Sequence, residues 1–139
     1  MGSIVIGVDA RPLAVPGNGN ARYLHQLLKA LLKLRARDEW VLFSHRGLHP
    51  EFMDVINHPS IRLDVGSRLP GPLWLNLRIP GLLEKNKANL FWGTLAMLPL
   101  LYRRRCSVPA MLNYHDLNAY VAPDTMVLWN AWQHRLFAS

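Results

Sequence analysis

An α/β architecture, a parallel sheet with helices on both faces, is encoded in this chain, and three features say so. Short apolar runs rich in β-branched and aromatic residues alternate with longer stretches of helical period. The first two runs, "SIVIGVDA" and "EWVLFSH", are apolar nearly throughout, as strands covered on both faces are. Half of the 139 residues are hydrophobic, enough to bury a core within a single domain over residues 1–139.

The elements follow in order. Ser3 to Ala10 reads as a buried strand, and "RPLAVPGNGN" as a loop punctuated by Pro12, Pro16, Gly17 and Gly19. A helix is expected from Ala21 to Arg37, since Leu24, Leu27, Leu28, Leu31 and Leu34 recur at helical spacing. Asn20 is placed to cap it, and basic residues near its end suit the negative pole of the helix dipole. Glu39 to His45 is the second strand, "PEFMDVIN" a short helix, and Ser60 to Val65 an alternating third strand near an edge. "GPLWLNLRIPGLLEKN" predicts a helix in two pieces, interrupted by Pro80 and Gly81. Ala88 to Gly93 is a fourth strand. "TLAMLPLLYRRR" is apolar, broken by Pro99, then abruptly basic. Ser107 to Leu117 is a fifth strand running into a polar turn, and a last helix opens near Pro123 and Asp124.

In parallel sheets with right-handed crossovers, ligands bind beyond the carboxyl ends of the strands. Two polar segments fall there: Gly17 to Asn20, and "NYHD" from Asn113 to Asp116. Gly17 and Gly19 let the backbone turn freely, and the helix behind them offers unpaired amides at a positive pole. Such a place suits a phosphate, and Arg22 can add a guanidinium to it. A plain turn with a capped helix fits the same residues, since neither phosphate-loop fingerprint is present. His115 and Asp116 stand at a strand end, where an imidazole can move a proton or simply satisfy a loop carbonyl. Asp9 and Arg11 carry the same double reading: cleft residues, or an aspartate tying its own loop.

Charge and composition narrow the partners. A formal net charge of +7 suits nucleic acid, acidic lipid or phosphorylated small molecules, and equally a basic surface of no special role. Cys106 is the single cysteine, which rules out an internal disulfide and a four-cysteine zinc site and fits a reducing, cytoplasmic setting. The amino-terminal run lacks a basic region ahead of it and does not read as a signal peptide. No stretch is long and apolar enough to span a bilayer. Gly47 and Pro50 argue against a helix that would pair His45 with His49 around a metal, and no metal site is expected. "YRRRCS" is either a solvated charge run or a phosphate contact. Trp74, Trp92, Trp129 and Trp132 read as core or interface residues rather than a base-stacking platform.

The order "IGVDARPL", glycine-rich loop, "ARYLHQLLKALLKL", "EWVLFS" resembles the opening of group 1 (GT4-type) glycosyltransferases. "LWLNLRIPGLLEKNKANLFWG", then "LPLL", "VPAMLNYHDL" and "PDTM", is similar to that family's later segments, so the likeness runs along nearly the whole chain. The resemblance implies the GT-B arrangement: two Rossmann-like domains facing a cleft, with a sugar passing from a nucleotide-sugar donor to a glycan or lipid-linked acceptor, and no cofactor or essential metal. It matches the amino-terminal, acceptor-side domain. On that likeness Gly17, Asn18, Gly19, Asn20 and Arg22 approach the donor diphosphate. His115 contacts the transferred sugar or the acceptor, Asp116 sets the loop, and Asp9, Arg11 and Tyr23 line the acceptor side of the cleft.

Two departures stand beside it. In the family, Arg-Tyr follows the second glycine directly, whereas Asn20 and Ala21 intervene here. The family's nucleotide domain, with its pair of nearby glutamates, has no counterpart in residues 1–139, nor has the last strand of the first domain, so the chain alone is expected to transfer little or no sugar. An unpaired strand edge and bare apolar helix faces would favour a homo-oligomer. A basic, partly apolar surface would suit peripheral association with the inner face of a membrane. Two other readings compete: a binding or assembly domain that keeps the fold without catalysis, and a nucleic-acid-binding protein. The second rests on charge alone and predicts affinity that falls steeply with salt and ignores His115→Ala.

Overall fold

A computed structural model of the chain describes residues 2–115. Five strands form one sheet: β1 (Val5–Asp9), β2 (Glu39–Ser44), β3 (Ile61–Val65), β4 (Leu90–Gly93) and β5 (Ala110–Leu112). They lie in the order β3-β2-β1-β4-β5, and every neighbouring pair is parallel. Helices α1 (Gly19–Leu34), α2 (Met53–Ile56), α3 (Gly71–Lys85) and α4 (Tyr102–Arg105) connect them. This is an α/β, Rossmann-like parallel sheet.

Two cores account for the apolar strands. Ile6, Val8, Trp40, Leu42 and Trp92 point to one face, where they meet Ala21, Leu24, Leu28 and Leu32 of α1 and Val55 and Ile56 of α2. Val41, Phe43 and Phe91 point to the other, against Trp74, Leu75, Ile79, Leu82 and Leu83 of α3. The period of two along each strand splits its side chains between two covered faces. Gly7 faces the second of these cores, between β1 and α3. A β-carbon there would stand 2.5 Å from Cε2 of Phe43 and 2.7 Å from Cδ2 of Leu83, so the bare backbone is what lets both lean across β1.

Several expectations are corrected. Helix α1 begins at Gly19 rather than Ala21 and ends at Leu34 rather than Arg37, and its cap is Asn18, whose Oδ1 accepts from the Ala21 amide at 2.7 Å. Asn20 lies inside the first turn. The buried stripe takes Leu32, whereas Leu34 is 78% exposed. Arg11 to Ala14, read as loop, is a turn of 3-10 helix with Pro12 in its first turn, where the missing amide costs nothing.

Helix α3 is continuous, with Pro80 inside it. Proline removes one amide and frees the carbonyl four residues back. That carbonyl belongs to Asn76, and Nη1 of Arg105 donates to it at 2.6 Å. The Asn76 side chain adds two bonds, to the Leu100 amide and the Pro72 carbonyl, which stitch the loop before α4 onto α3. One arginine of "YRRRCS" thus closes a helix defect. The fifth strand is also shorter than Ser107 to Leu117. Its ladder is bounded by the bond from the Phe91 amide to the Pro109 carbonyl and that from the Asn113 amide to the Gly93 carbonyl.

Candidate functional site

The strand order reverses at β1: its chain neighbour β2 lies on one side and β4, much later in sequence, on the other. Connections leave that point on opposite faces of the sheet, and at such reversals ligands of parallel sheets bind above the carboxyl ends of the strands, here those of β1 and β4. Asp9, Arg11, Thr94 and His115 meet there.

Asp9 closes β1 and is fully buried. Arg11 binds it in a fork, Nε to Oδ1 at 2.9 Å and Nη2 to Oδ2 at 2.7 Å, and the Arg11 amide adds a longer bond to Oδ1. The guanidinium lies over Trp74, 5.7 Å from the ring centre. Burial works against its charge, and Asp9 overrides burial, so the Arg11 pKa is raised above the ordinary arginine value. Both carboxylate oxygens are therefore engaged, and Asp9 fixes the backbone and guanidinium of Arg11 at the end of β1.

Thr94, just past β4, ties that strand end to the imidazole. Its Oγ1 donates to the Asp9 carbonyl at 2.6 Å, and its own carbonyl lies 2.9 Å from Nε2 of His115. A carbonyl only accepts, so Nε2 carries the proton and Nδ1 is the acceptor of the neutral ring. Asn113 steers the chain toward this position, its Oδ1 accepting from Nε1 of Trp92 at 3.0 Å. Tyr23, in the second turn of α1, meets His115 edge to face with ring centroids 5.2 Å apart. The second turn of α1 and the imidazole beyond β5 are thus in contact.

The amino terminus of α1 is less open than the glycines alone suggest. Gly17 holds a φ of +78° and supplies the turn, while Asn18 bonds the Val15 carbonyl as well as the Ala21 amide. The Arg22 amide bonds the Asn18 carbonyl, leaving the Gly19 and Asn20 amides without a partner among the described residues. The Arg22 side chain lies by a separate hollow, shared with Gly17 and Asn18 and walled by His25, Gln26, Glu51 and Phe52. Asp116 lies outside the described residues, as do Trp129 and Trp132.

Thr94, His45, Gly71 and Trp74 also gather at this end of the sheet, and sequence reasoning did not place them there. Trp74 and Trp92 are core residues, each about 1% exposed. No helix among the described residues is long and apolar enough to cross a membrane. Comparison of the chain with protein-family models, with curated proteins and with solved structures gives no match.

Proposed function

We propose that this chain is the acceptor-side domain of a cytoplasmic glycosyltransferase of the GT-B kind, serving transfer of a sugar from a nucleotide-sugar donor to a glycan or lipid-linked acceptor. The observation that supports the reading is the contact of Tyr23 with His115, which sets the second turn of α1 against the imidazole, so that the two open amides one turn earlier would face the same ligand. The amides would take a diphosphate oxygen, and His115 would hydrogen-bond the sugar through Nδ1. An acceptor embedded in an anionic membrane fits the exposed leucines Leu73, Leu77, Leu100 and Leu101, which lie among Arg78, Arg103 and Arg104. Edge strands β3 and β5 each leave one side unpaired among the described residues, which favours a homo-oligomer.

Titrating the isotope-labelled chain with nucleoside-diphosphate sugars of different bases tests this. At least one should shift the Gly19, Asn20, Tyr23 and His115 resonances saturably, and His115→Ala should weaken its binding. Silence of all four residues across every donor would sink the reading.

A second reading draws on the engagement of Asp9. With both of its oxygens held by Arg11, Asp9 is tied up in an ion pair rather than free to face a substrate. This favours a domain that binds and leaves the chemistry elsewhere, and it predicts donor binding without turnover.

A further inference from the structure

Along a strand, the amide and carbonyl of one residue point to the same side, and successive residues alternate. The Trp40 amide bonds the Ser60 carbonyl at 2.8 Å, and the Gly66 amide bonds the Ser44 carbonyl at 3.0 Å, so Arg62 and Asp64 of β3 serve the ladder with β2. Ile61, Leu63 and Val65 therefore turn their backbone groups outward. Among the described residues only the Ile61 amide finds a partner on that side, the His58 carbonyl at 2.9 Å. Such a row of unused donors and acceptors is a template for another strand.

The side chains of β3 say which strand fits. Ile61, Leu63 and Val65 lie on the face of α1 and α2, where Leu63 is 47% and Val65 37% exposed. Arg62 and Asp64 take the opposite face. Nζ of Lys85 and Nδ2 of Asn86 both donate to Oδ2 of Asp64, at 2.8 and 3.2 Å, which leaves its Oδ1 without a partner among the described residues. Arg62 directs Nη2 to Oε2 of Glu39 at 3.1 Å, and its Nε and Nη1 make no hydrogen bond among the described residues. One charge of each sign thus stands on either side of Leu63, each with unused hydrogen-bonding capacity. The other edge, β5, is Ala110–Leu112 and carries no charge.

We propose that β3 pairs antiparallel with β3 of a second copy of the chain, about a two-fold axis at Leu63, so that the sheet runs on from one subunit into the next. In that register the two Leu63 residues exchange backbone hydrogen bonds, and each Val65 amide reaches the partner's Ile61 carbonyl. Arg62 stands opposite the partner's Asp64, where its unused N–H groups meet the unused Oδ1. On the other face Leu63 meets the partner's Leu63, and Val65 the partner's Ile61. Opposite charges directly across a strand pair are favourable and like charges are not. Sliding one copy by two residues, the smallest step that keeps the backbone bonds, sets Arg62 against Arg62 or Asp64 against Asp64. Charge therefore selects the register. A two-fold contact uses the same patch on both copies and closes on itself as a dimer. The pairing is independent of sugar transfer.

Sedimentation of the full chain over a concentration series tests this, with circular dichroism to establish that each variant is folded. Five residues a side make a small interface, so the series extends to millimolar concentration. The chain should dimerise reversibly. Arg62→Asp and Asp64→Arg should each weaken the dimer about tenfold or more, because the symmetry sets like charges opposite one another twice. Mixed in equal amounts, these two variants should form a heterodimer, since one strand is then wholly acidic and the other wholly basic. Leu63→Pro removes an outward amide and spares the ladder with β2, so it should give a folded monomer; should it fail to fold, the mixture decides. A monomer at every concentration, a dimer that persists in Leu63→Pro, or a mixture without heterodimer overturns the pairing. None of these outcomes bears on donor binding.

Discussion

Arg105 reaches across from α4 to donate to the backbone oxygen of Asn76, the one carbonyl in α3 that Pro80 deprives of its amide. A helix carrying an internal proline stays whole because a side chain from a later element supplies the missing donor. The bond is exposed, so Arg105→Ala should lower stability by no more than about 1 kcal/mol. In a Pro80→Ala background the helix provides its own donor and the same change should cost less. A double-mutant cycle in urea should give a coupling of about 0.5 kcal/mol or more; strict additivity would show that Arg105 does not serve this carbonyl.

Gly7 marks a tight point between β1 and the core beneath α3. Gly7→Ala places a methyl group inside the contact radius of Phe43 and Leu83 and should cost about 1–3 kcal/mol, the usual range for overpacking. Phe43→Leu in the same chain should recover part of that loss. Urea midpoints of the single and double variants give the measurement.

The Asp9–Arg11 fork is the most deeply buried ion pair among the described residues. Asp9→Asn keeps the shape and removes the countercharge, leaving a guanidinium nine-tenths buried. A loss of about 3–5 kcal/mol is expected, as for other buried pairs deprived of one partner. An unchanged melting temperature would mean that water or another group already compensates Arg11.

Acid stability should carry the signature of Asp54. Hydrogen bonds from Lys29 and then His25, both on α1, hold its carboxyl down at about 2. A carboxyl depressed in the folded state lends its stability above the unfolded pKa and loses it as pH falls. The loss therefore develops from near pH 4 down to about pH 2, and Asp54→Asn should flatten the melting profile in that window. The group is half exposed, so the effect is small. Equal slopes for the two proteins would contradict the prediction.

Much of the sheet was legible because parallel strands covered on both faces announce themselves as short apolar runs, and β1, β2 and β4 do so. Terminal residues were harder. Asn18 and Asn20 are equally good caps by type, and only the turn at Gly17 selects Asn18. The continuity of α3 could not be read from "RIPG", because the donor that repairs it comes from Arg105. At the crevice, Asp9, Arg11 and His115 were visible as polar residues ending strands. Thr94, His45 and Gly71 were not, since a threonine bonded to a distant carbonyl, a lone histidine and a helix-opening glycine carry no local pattern. What joins them is the strand order, a property of the whole chain.

That order also has a consequence for synthesis. Of the five strands β1 is made first yet ends up in the middle, and its pairing with β2, and that of β2 with β3, needs only residues up to Val65. Its other side waits for Leu90 to Trp92. While the ribosome adds the intervening residues, a matter of seconds at roughly 5–20 per second, Ile6 to Val8 present bare amides and carbonyls on a sheet already half built. The nascent chain is most open to wrong pairing during that interval, and the hydrophobic segment "LWLNLRIPGLL" is emerging at the same time.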